Sequence, residues 1–383
     1  MLPDAQHFMR PGIVEFTWGH PDLGLFPAEG LARAAALTLA RADSAPLCYG
    51  AVQGPGCLIQ QLCAWLGQRE GRAISQGRMF IAGGLSQGLD LLCTLYTRPG
   101  DAILVDSPTY HLALRVFRDH GLELIPVAGD ADGLRPDALA DALAALRRAR
   151  RQARFLYTVP NFGNPTGATL PLARRQAIAA LAQEAGLTIL EDDVYRHLWF
   201  YAPPPPPLSD LAPEHVIRLG SFSKLLAPGL RVGWLIAPPE VVRRCAASGL
   251  LDSGGGISHF AAHVVAAFME LGLFDAHVEM LRAAYRARRD LFCAALARHL
   301  PDGCQWQVPG GGFFVWVRLP EGVDAAALLP QAEAAGVSYV PGVRFCADGS
   351  GGSHIRLAFT LLSPAEMEEG AMRLGQVLRE AKR

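Results

Sequence analysis

The chain has 383 residues, half of them hydrophobic, and its 35 basic and 36 acidic side chains leave a formal net charge of −1. This composition supplies enough apolar mass for a packed core and excludes a globally disordered chain. Near-zero net charge argues against a protein that coats nucleic acid or an anionic membrane. Because no apolar run reaches the roughly 18 residues that a membrane span requires, we expect no membrane segment.

The alternation of elements in the middle of the chain predicts an α/β fold. Seven short apolar runs separated by helical patterns are predicted to be strands, at 79–81, 102–105, 122–127, 155–159, 187–190, 216–219 and 234–236. Strands that alternate with helices predict a mostly parallel sheet that is covered on both faces.

The C-terminal third of the chain has a different pattern. Residues 258–300 are predicted to be helical with one break near Gly272. After about residue 304, short strands alternate with single helices and a terminal helix, which predicts a smaller α+β domain.

Neither cysteine nor histidine spacing predicts a metal or a disulfide framework. The eight cysteines are scattered without a Cys-x-x-Cys pair, and residues 1–7 do not resemble a secretory signal. We therefore predict buried, reduced thiols and a cytoplasmic protein. His259 and His263 are four residues apart, but no Glu follows His259, so we predict a packed helix face there and no metal site.

Lysine is the rarest basic residue of the chain. Counting by letter gives 33 Arg and two Lys, at positions 224 and 382. Lys224 follows a predicted buried strand, where desolvation would lower its pKa and make the neutral amine accessible for a Schiff base to an aldehyde. Two hydroxyls, of Ser221 and Ser223, and the guanidinium of Arg231 flank it and could bind a phosphate. The alternative is a structural lysine beside a helix cap.

Four further strand ends carry polar or aromatic side chains. The segments are 83–88, which is rich in glycine, 106–110 with Tyr110, 161–167 with Asn164, and 191–195 with Asp192 and Tyr195. Each segment alone also suits a plain turn, a helix cap or a core-edge aromatic residue. Since ligand sites of α/β folds lie at the carboxyl ends of parallel strands, we expect these segments and Lys224 to share one edge of the sheet.

Together, these motifs match those of a known family. The chain resembles the pyridoxal 5′-phosphate-dependent aminotransferases of fold type I, class I/II, and is most similar to the subgroup with 2-aminoadipate and kynurenine aminotransferases and the MocR regulators. The Ser-x-Ser-Lys segment at 221–224, the Pro-Gly-x-Arg-x-Gly segment at 228–233 and Asn-Pro-Thr-Gly at 164–167 carry the resemblance. It extends from Gly19-His-Pro-Asp at 19–22 to the His-Ile-Arg-Leu segment at 354–357.

The resemblance implies an architecture and a reaction. It implies a large cofactor-binding domain at 41–289, with a mostly parallel central sheet, and a small α+β domain formed by 1–40 and 290–383. It implies a homodimeric enzyme of amino acid metabolism, in a biosynthetic process, that moves an amino group between an L-amino acid and a 2-oxo acid through a Schiff base on Lys224.

The resemblance also implies a role for each matched residue. Lys224, Asp192 and Tyr195 would be catalytic, with Asp192 paired to the pyridinium nitrogen and Lys224 carrying the proton. Asn164 and Tyr195 would bind the phenolic oxygen, and Tyr110 would stack on the ring. Arg356, with Asn164 and Gly19, would bind the substrate carboxylate. The phosphate would be held by a larger set: Gly84, Leu85, Ser86, Ser221, Ser223, Arg231, and Tyr49 from the other subunit.

Two alternatives remain open from the sequence. Other reactions of the same cofactor, namely decarboxylation, elimination, cyclisation or oxidation, use the same motifs. A ligand-sensing regulator like the MocR proteins would need a DNA-binding domain, for which the resemblance, beginning near residue 13, leaves no room. Three departures from the subgroup pattern are also visible, Leu85, Gly163 and Ile59, and the first two lie near the expected cofactor.

Overall fold

The computed structural model describes residues 9–41, 44–254 and 256–381. Its strands, numbered in chain order, are β1 (Val14–Glu15), β2 (Met79–Ala82), β3 (Ala102–Ser107), β4 (Glu123–Asp130), β5 (Gly133–Leu134), β6 (Ala153–Thr158), β7 (Thr188–Asp192), β8 (Val216–Ser221), β9 (Gly233–Ile236), β10 (Gln305–Trp306), β11 (Phe314–Arg318), β12 (Val337–Ser338), β13 (Val340–Pro341) and β14 (His354–Ala358).

The α-helices connect these strands and cover them. In chain order they are α1 (Ala28–Leu39), α2 (Gly56–Glu70), α3 (Leu85–Tyr96), α4 (His111–Asp119), α5 (Pro136–Arg148), α6 (Leu172–Ala185), α7 (Leu208–Leu211), α8 (Pro239–Ala246), α9 (Gly249–Asp252), α10 (His259–Glu270), α11 (Leu273–His299), α12 (Ala325–Ala334) and α13 (Pro364–Ala381).

Eight strands form the central sheet, in the order β2-β9-β8-β7-β6-β3-β4-β5. Strands β8, β7, β6, β3 and β4 run parallel to one another. Strand β9 runs antiparallel to both β8 and β2, so β2 points in the same direction as the parallel set. All seven predicted strands are therefore present, and the predicted mostly parallel α/β sheet is confirmed.

The sheet is buried on both faces, which explains why its strands are nearly continuous apolar runs. Side chains of β3 alternate between two cores, with Ile103 and Val105 on one face and Ala102 and Leu104 on the other. Helices α3, α4 and α8 close the first face, and α5, α6 and α7 close the second.

A second sheet follows in the C-terminal part of the chain. Strands β10, β11, β14 and β13 pair antiparallel in that order, and β1 near the N-terminus pairs with β12. The predicted helix break is at Gly272, a left-handed residue between α10 and α11. The domain boundaries at residues 41 and 289 stay a prediction.

The structure bears on three expectations from the sequence, concerning a membrane span, a metal site and buried thiols. Among the described residues, no helix combines the length and apolarity needed to cross a membrane, and no group of three His, Cys, Asp or Glu side chains is arranged to hold a metal ion. None of the eight cysteines, all of them described, is in a disulfide, but Cys48 is exposed and Cys57 and Cys304 are only partly buried, so the expectation of buried thiols is wrong for these three. They lie in or near surface turns and helix starts, where packing does not select for burial.

Candidate active site

The carboxyl ends of five strands bring the predicted residues to one edge of the central sheet. Asp192 is the last residue of β7, and Lys224 follows the end of β8 by three residues. Tyr110 follows β3, Asn164 follows β6, and the glycine pair at 83–84 follows β2. The expected convergence of these segments therefore occurs because all five strands point the same way.

Lys224 is a partly buried amine that has no carboxylate partner within the described part of the chain. Its Nζ donates a hydrogen bond to the carbonyl oxygen of Gly19 at 2.8 Å and lies 5.4 Å from the centre of the Phe313 ring. Burial lowers the pKa of Lys224 from 10.5 to about 8, helped by the positive charges of Arg356 and Arg231 and opposed by Asp192. The amine is therefore partly neutral at ordinary pH. The other lysine, Lys382, lies outside the described residues.

Asp192 is a buried carboxylate with one oxygen bound and one free. Its Oδ2 accepts a hydrogen bond from the hydroxyl of Tyr157 at 2.5 Å, whereas its Oδ1 has no hydrogen-bond partner among the described residues. Burial raises the pKa of Asp192 from 3.8 to about 7, against the opposing effects of the Tyr157 hydroxyl and the Val194 N–H. A buried carboxylate oxygen without a partner costs free energy, so this atom is suited to a cationic ligand.

Two tyrosines lie in the electrostatic field of Asp192. Burial and Asp192 raise the pKa of Tyr110 to about 12. Burial raises the pKa of Tyr195 well above its usual range, with Tyr110 and Asp192 adding to the effect. The Tyr195 ring also packs against Phe313 and Phe314, at centroid distances of 5.3 and 5.9 Å. Both hydroxyls therefore remain protonated and can donate hydrogen bonds.

An anion site is formed where α3 begins. Gly84, which has a φ of 86°, precedes Leu85 and Ser86, the first residues of α3, whose N–H groups have no intrahelical partner. Arg231 lies against this turn, donating to the Gly83 carbonyl at 3.1 Å, and a Cβ on Gly84 would lie 2.5 Å from the Arg231 guanidinium. Glycine is therefore required at position 84.

The second half of the anion site is the turn after β8. Arg231 Nη1 also contacts Ser223 Oγ at 3.4 Å, and Ser221 Oγ accepts a hydrogen bond from the Ser223 N–H at 3.1 Å. Arg231 is exposed and has a φ of 53°, a left-handed conformation that costs an arginine about 1 kcal/mol. Such a conformation persists where the surrounding structure requires it, and it is common at functional sites.

Arg356 extends from β14 of the second sheet to the edge of the first. Its Nη1 donates to Asn164 Oδ1 at 3.2 Å, its Nη2 donates to the Thr17 carbonyl, and its Nε has no partner among the described residues. The guanidinium carbon lies 4.4 Å from the centre of the Phe314 ring. Burial lowers the pKa of Arg356 to about 10, and no described carboxylate pairs with it, which suits the guanidinium to an anionic ligand.

Tyr49 is the one predicted site residue that lies apart from this edge within the chain. Its side chain is 89% exposed and lies over Gly254, where a Cβ would be 2.6 Å from Tyr49 Cδ1. This placement leaves the residue available to a second subunit.

The comparison with known proteins decides the family. The sequence pattern described as "Aminotransferase class I and II" matches residues 13–374. The chain belongs to this family. It is an aminotransferase, and its cofactor is pyridoxal 5′-phosphate.

Relatives of this aminotransferase cover most of its length. Aromatic-amino-acid aminotransferase 1 of Thermococcus litoralis is 34% identical over 370 residues, or 96% of this chain and 88% of that protein. The 2-aminoadipate transaminase of Thermus thermophilus is 35% identical over 97% of this chain and 91% of that protein. The crystal structure of Pyrococcus horikoshii kynurenine aminotransferase, in complex with PMP, superposes with a TM-score of 0.92 and 33% identity, covering 97% of this chain and 92% of that one. The predicted fold type I is thereby confirmed.

The side chains of this aminotransferase fit pyridoxal 5′-phosphate. The partly neutral amine of Lys224 suits an aldehyde, and the free Oδ1 of Asp192 suits a protonated ring nitrogen. Arg231 and the N-terminus of α3 suit a phosphate.

Sequence reasoning missed several residues of this edge. Tyr157 was assigned only to a strand, although a tyrosine in an otherwise apolar buried run needs a partner for its hydroxyl, and that signal could have found it. Phe313 lies near the Lys224 amine and Phe314 near the Arg356 guanidinium, but neither gives such a signal, because aromatic residues at the start of a strand are common in ordinary cores.

Proposed function

We propose that this aminotransferase uses Lys224, Asp192 and Tyr195 for catalysis, and that its substrates are an L-amino acid and a 2-oxo acid such as 2-oxoglutarate. The observation that supports this most strongly is the pairing of an amine of lowered pKa with a buried carboxylate that has one free oxygen, at adjacent strand ends. Amino-group transfer needs both groups at one cofactor.

Each residue of the site then has a task in the reaction. When bound, pyridoxal 5′-phosphate supplies an aldehyde for the amino group and a ring that accepts the electrons released at Cα. Lys224 Nζ would remove the proton from the substrate Cα and deliver it to C4′, the carbon of the cofactor's aldehyde group. Asp192 Oδ1 would accept a hydrogen bond from the protonated ring nitrogen. A carboxylate at this position makes the ring a better electron acceptor.

The remaining residues bind and orient. Arg356 binds the substrate carboxylate through its guanidinium, with Asn164 and the Gly19 segment closing the same pocket. Asn164 and Tyr195 donate hydrogen bonds to the phenolic oxygen, and Tyr110 stacks on the ring. Ser221, Ser223, Arg231 and the Gly84-Leu85-Ser86 turn hold the phosphate, with Leu85 contributing only its N–H.

We propose that the enzyme is a homodimer in which Tyr49 completes the phosphate site of the partner subunit. Large apolar side chains are exposed on the same part of the chain, with Leu47 at 68% and Leu250 at 61% exposure near Tyr49 at 89%. Clustered apolar exposure of this kind marks protein interfaces.

We further propose a cytoplasmic enzyme of amino acid biosynthesis with a large domain at 41–289 and a small domain formed by 1–40 and 290–383. The eight free thiols support a reducing compartment. The long helix α11 crosses the proposed boundary at residue 289, which would let the two domains move about one rigid element.

A substrate panel tests the proposed reaction. Purified enzyme is mixed with single amino acids, including aromatic ones, 2-aminoadipate and kynurenine, and the absorbance of the bound cofactor is followed. We expect conversion to the amine form of the cofactor with release of a stoichiometric 2-oxo acid. Release of carbon dioxide, ammonia or hydrogen peroxide instead would assign one of the other reactions of this cofactor.

A further inference from the structure

The hydroxyl of Tyr157 is the one side-chain donor to the carboxylate of Asp192 among the described residues. Tyr157 lies on β6, and Leu190 of β7 is its direct partner in the parallel pair. Because side chains alternate along a strand, Asp192 emerges two residues further on the same face as Leu190, diagonal to Tyr157. The contact therefore follows from the register of the two central strands.

The Tyr157 ring is held in place independently of Asp192. It is completely buried and packs edge-on against Phe117, with ring centroids 5.3 Å apart. A buried ring with a fixed orientation fixes the position of its hydroxyl, which is 2.5 Å from Asp192 Oδ2. The hydrogen bond thus restrains the carboxylate, rather than the carboxylate restraining the tyrosine.

The hydroxyl of Tyr157 affects the charge state of Asp192. Burial favours the neutral, protonated carboxyl, and the pKa of Asp192 is raised to about 7 even with the opposing effect of the Tyr157 hydroxyl. The Tyr157 hydroxyl favours the ionised form, and the pKa of Tyr157 itself is raised well above its usual range, so this group stays a donor at every working pH. A protonated Asp192 could only donate to a neutral ring nitrogen, whereas an ionised Asp192 accepts from a protonated one.

We propose that Tyr157 is a positioning residue that acts through Asp192: its hydroxyl favours the ionised carboxylate and occupies Oδ2, so that Oδ1 is available to the ring nitrogen of pyridoxal 5′-phosphate. The inference rests on the proposed role of Asp192. It assigns to Tyr157 the control of ring protonation, and with it the electron-accepting strength of the cofactor.

The test is the protonation state of the ring nitrogen in holoenzyme loaded with ¹⁵N-labelled pyridoxal 5′-phosphate, read from its ¹⁵N chemical shift as pH is varied. Tyr157→Phe keeps the ring against Phe117 and removes only the hydroxyl. Tyr96→Phe is the matched control, because this partly buried tyrosine packs on Phe155 and has no contact with Asp192. Asp192→Asn tests the underlying assignment, and thermal unfolding of each variant verifies that it is folded.

We expect a protonated ring nitrogen through the neutral range in the wild type and in Tyr96→Phe. In Tyr157→Phe the proton should be lost at lower pH, and kcat should fall about tenfold to hundredfold with a smaller change in KM, since Arg356 is untouched. Wild-type ring protonation and kcat in Tyr157→Phe, together with loss of the proton in Asp192→Asn, would overturn the inference and leave the role of Asp192 standing. Retention of the proton in Asp192→Asn would overturn both.

Discussion

Lys224 Nζ donates its hydrogen bond to the Gly19 carbonyl at 2.8 Å, joining two residues that are 205 positions apart in sequence. Gly19 is in turn held against Phe314, because a Cβ at residue 19 would lie 2.6 Å from the end of that buried ring. The amine is therefore held by a neutral carbonyl from the N-terminal segment, and this contact supplies no negative charge to offset the lowering of the Lys224 pKa by burial.

Substitution of Gly19 tests this contact. Gly19→Ala must displace either the Phe314 ring or the Gly19 carbonyl, and we expect kcat to fall about tenfold or more, since a shift of less than 1 Å at a reacting group is costly. Gly24→Ala is the matched control, because its Cβ would meet only ordinary contacts at 3.5 Å. Equal activity of both variants in steady-state kinetics would refute the requirement for a glycine at position 19.

The lowered pKa of Lys224 predicts how fast the apoenzyme captures its cofactor. With a pKa of about 8, about a tenth of the amines are neutral at pH 7, against about one in 3,000 for an ordinary lysine. The capture rate at fixed pyridoxal 5′-phosphate should rise with pH and level off above about pH 8. A rate that keeps rising tenfold per pH unit beyond pH 9 would show an ordinary lysine. Stopped-flow absorbance measures it.

Arg356 should govern affinity for the substrate carboxylate. Arg356→Lys keeps the charge but loses the two-pronged contact with a carboxylate, so we expect KM for the amino acid to rise about tenfold to hundredfold. Arg318→Lys, an exposed arginine on the neighbouring strand β11, is the control and should leave KM unchanged. If kcat alone falls in Arg356→Lys, the residue does not act as the carboxylate ligand.

A mixing experiment tests whether Tyr49 serves the partner subunit. Tyr49→Phe and Lys224→Ala proteins are each impaired, and a mixed dimer would contain one site with both an intact Lys224 and an intact Tyr49. We expect activity to rise above the sum of the separate proteins after subunit exchange. No gain, with mixed dimers demonstrated by mass spectrometry, would place Tyr49 and Lys224 in the same chain's site or Tyr49 in none.

More of the central sheet than of the candidate active site could be predicted from the sequence. Apolar runs at β2 and β8 predicted those strands to within about two residues, because local pattern determines burial. The sequence also predicted that the polar strand ends share one edge, because ligand sites of α/β folds lie at the carboxyl ends of parallel strands. The register between β6 and β7, which pairs Tyr157 with Leu190 and so places Asp192 diagonal to Tyr157, depends on contacts between distant segments and has no local signal. The hydrogen bond between Lys224 and the Gly19 carbonyl likewise joins distant segments and has no local signal.

We infer that Lys224 is the amine that binds the cofactor, and chemical labelling of that amine tests the inference. Borohydride reduction of the holoenzyme converts the bond between the cofactor and its amine into a stable C–N bond, and peptide mapping then locates the label. We expect a single labelled peptide containing Lys224, and no label in Lys224→Ala. A label on Lys382, the only other lysine, or on the N-terminal amine would contradict it.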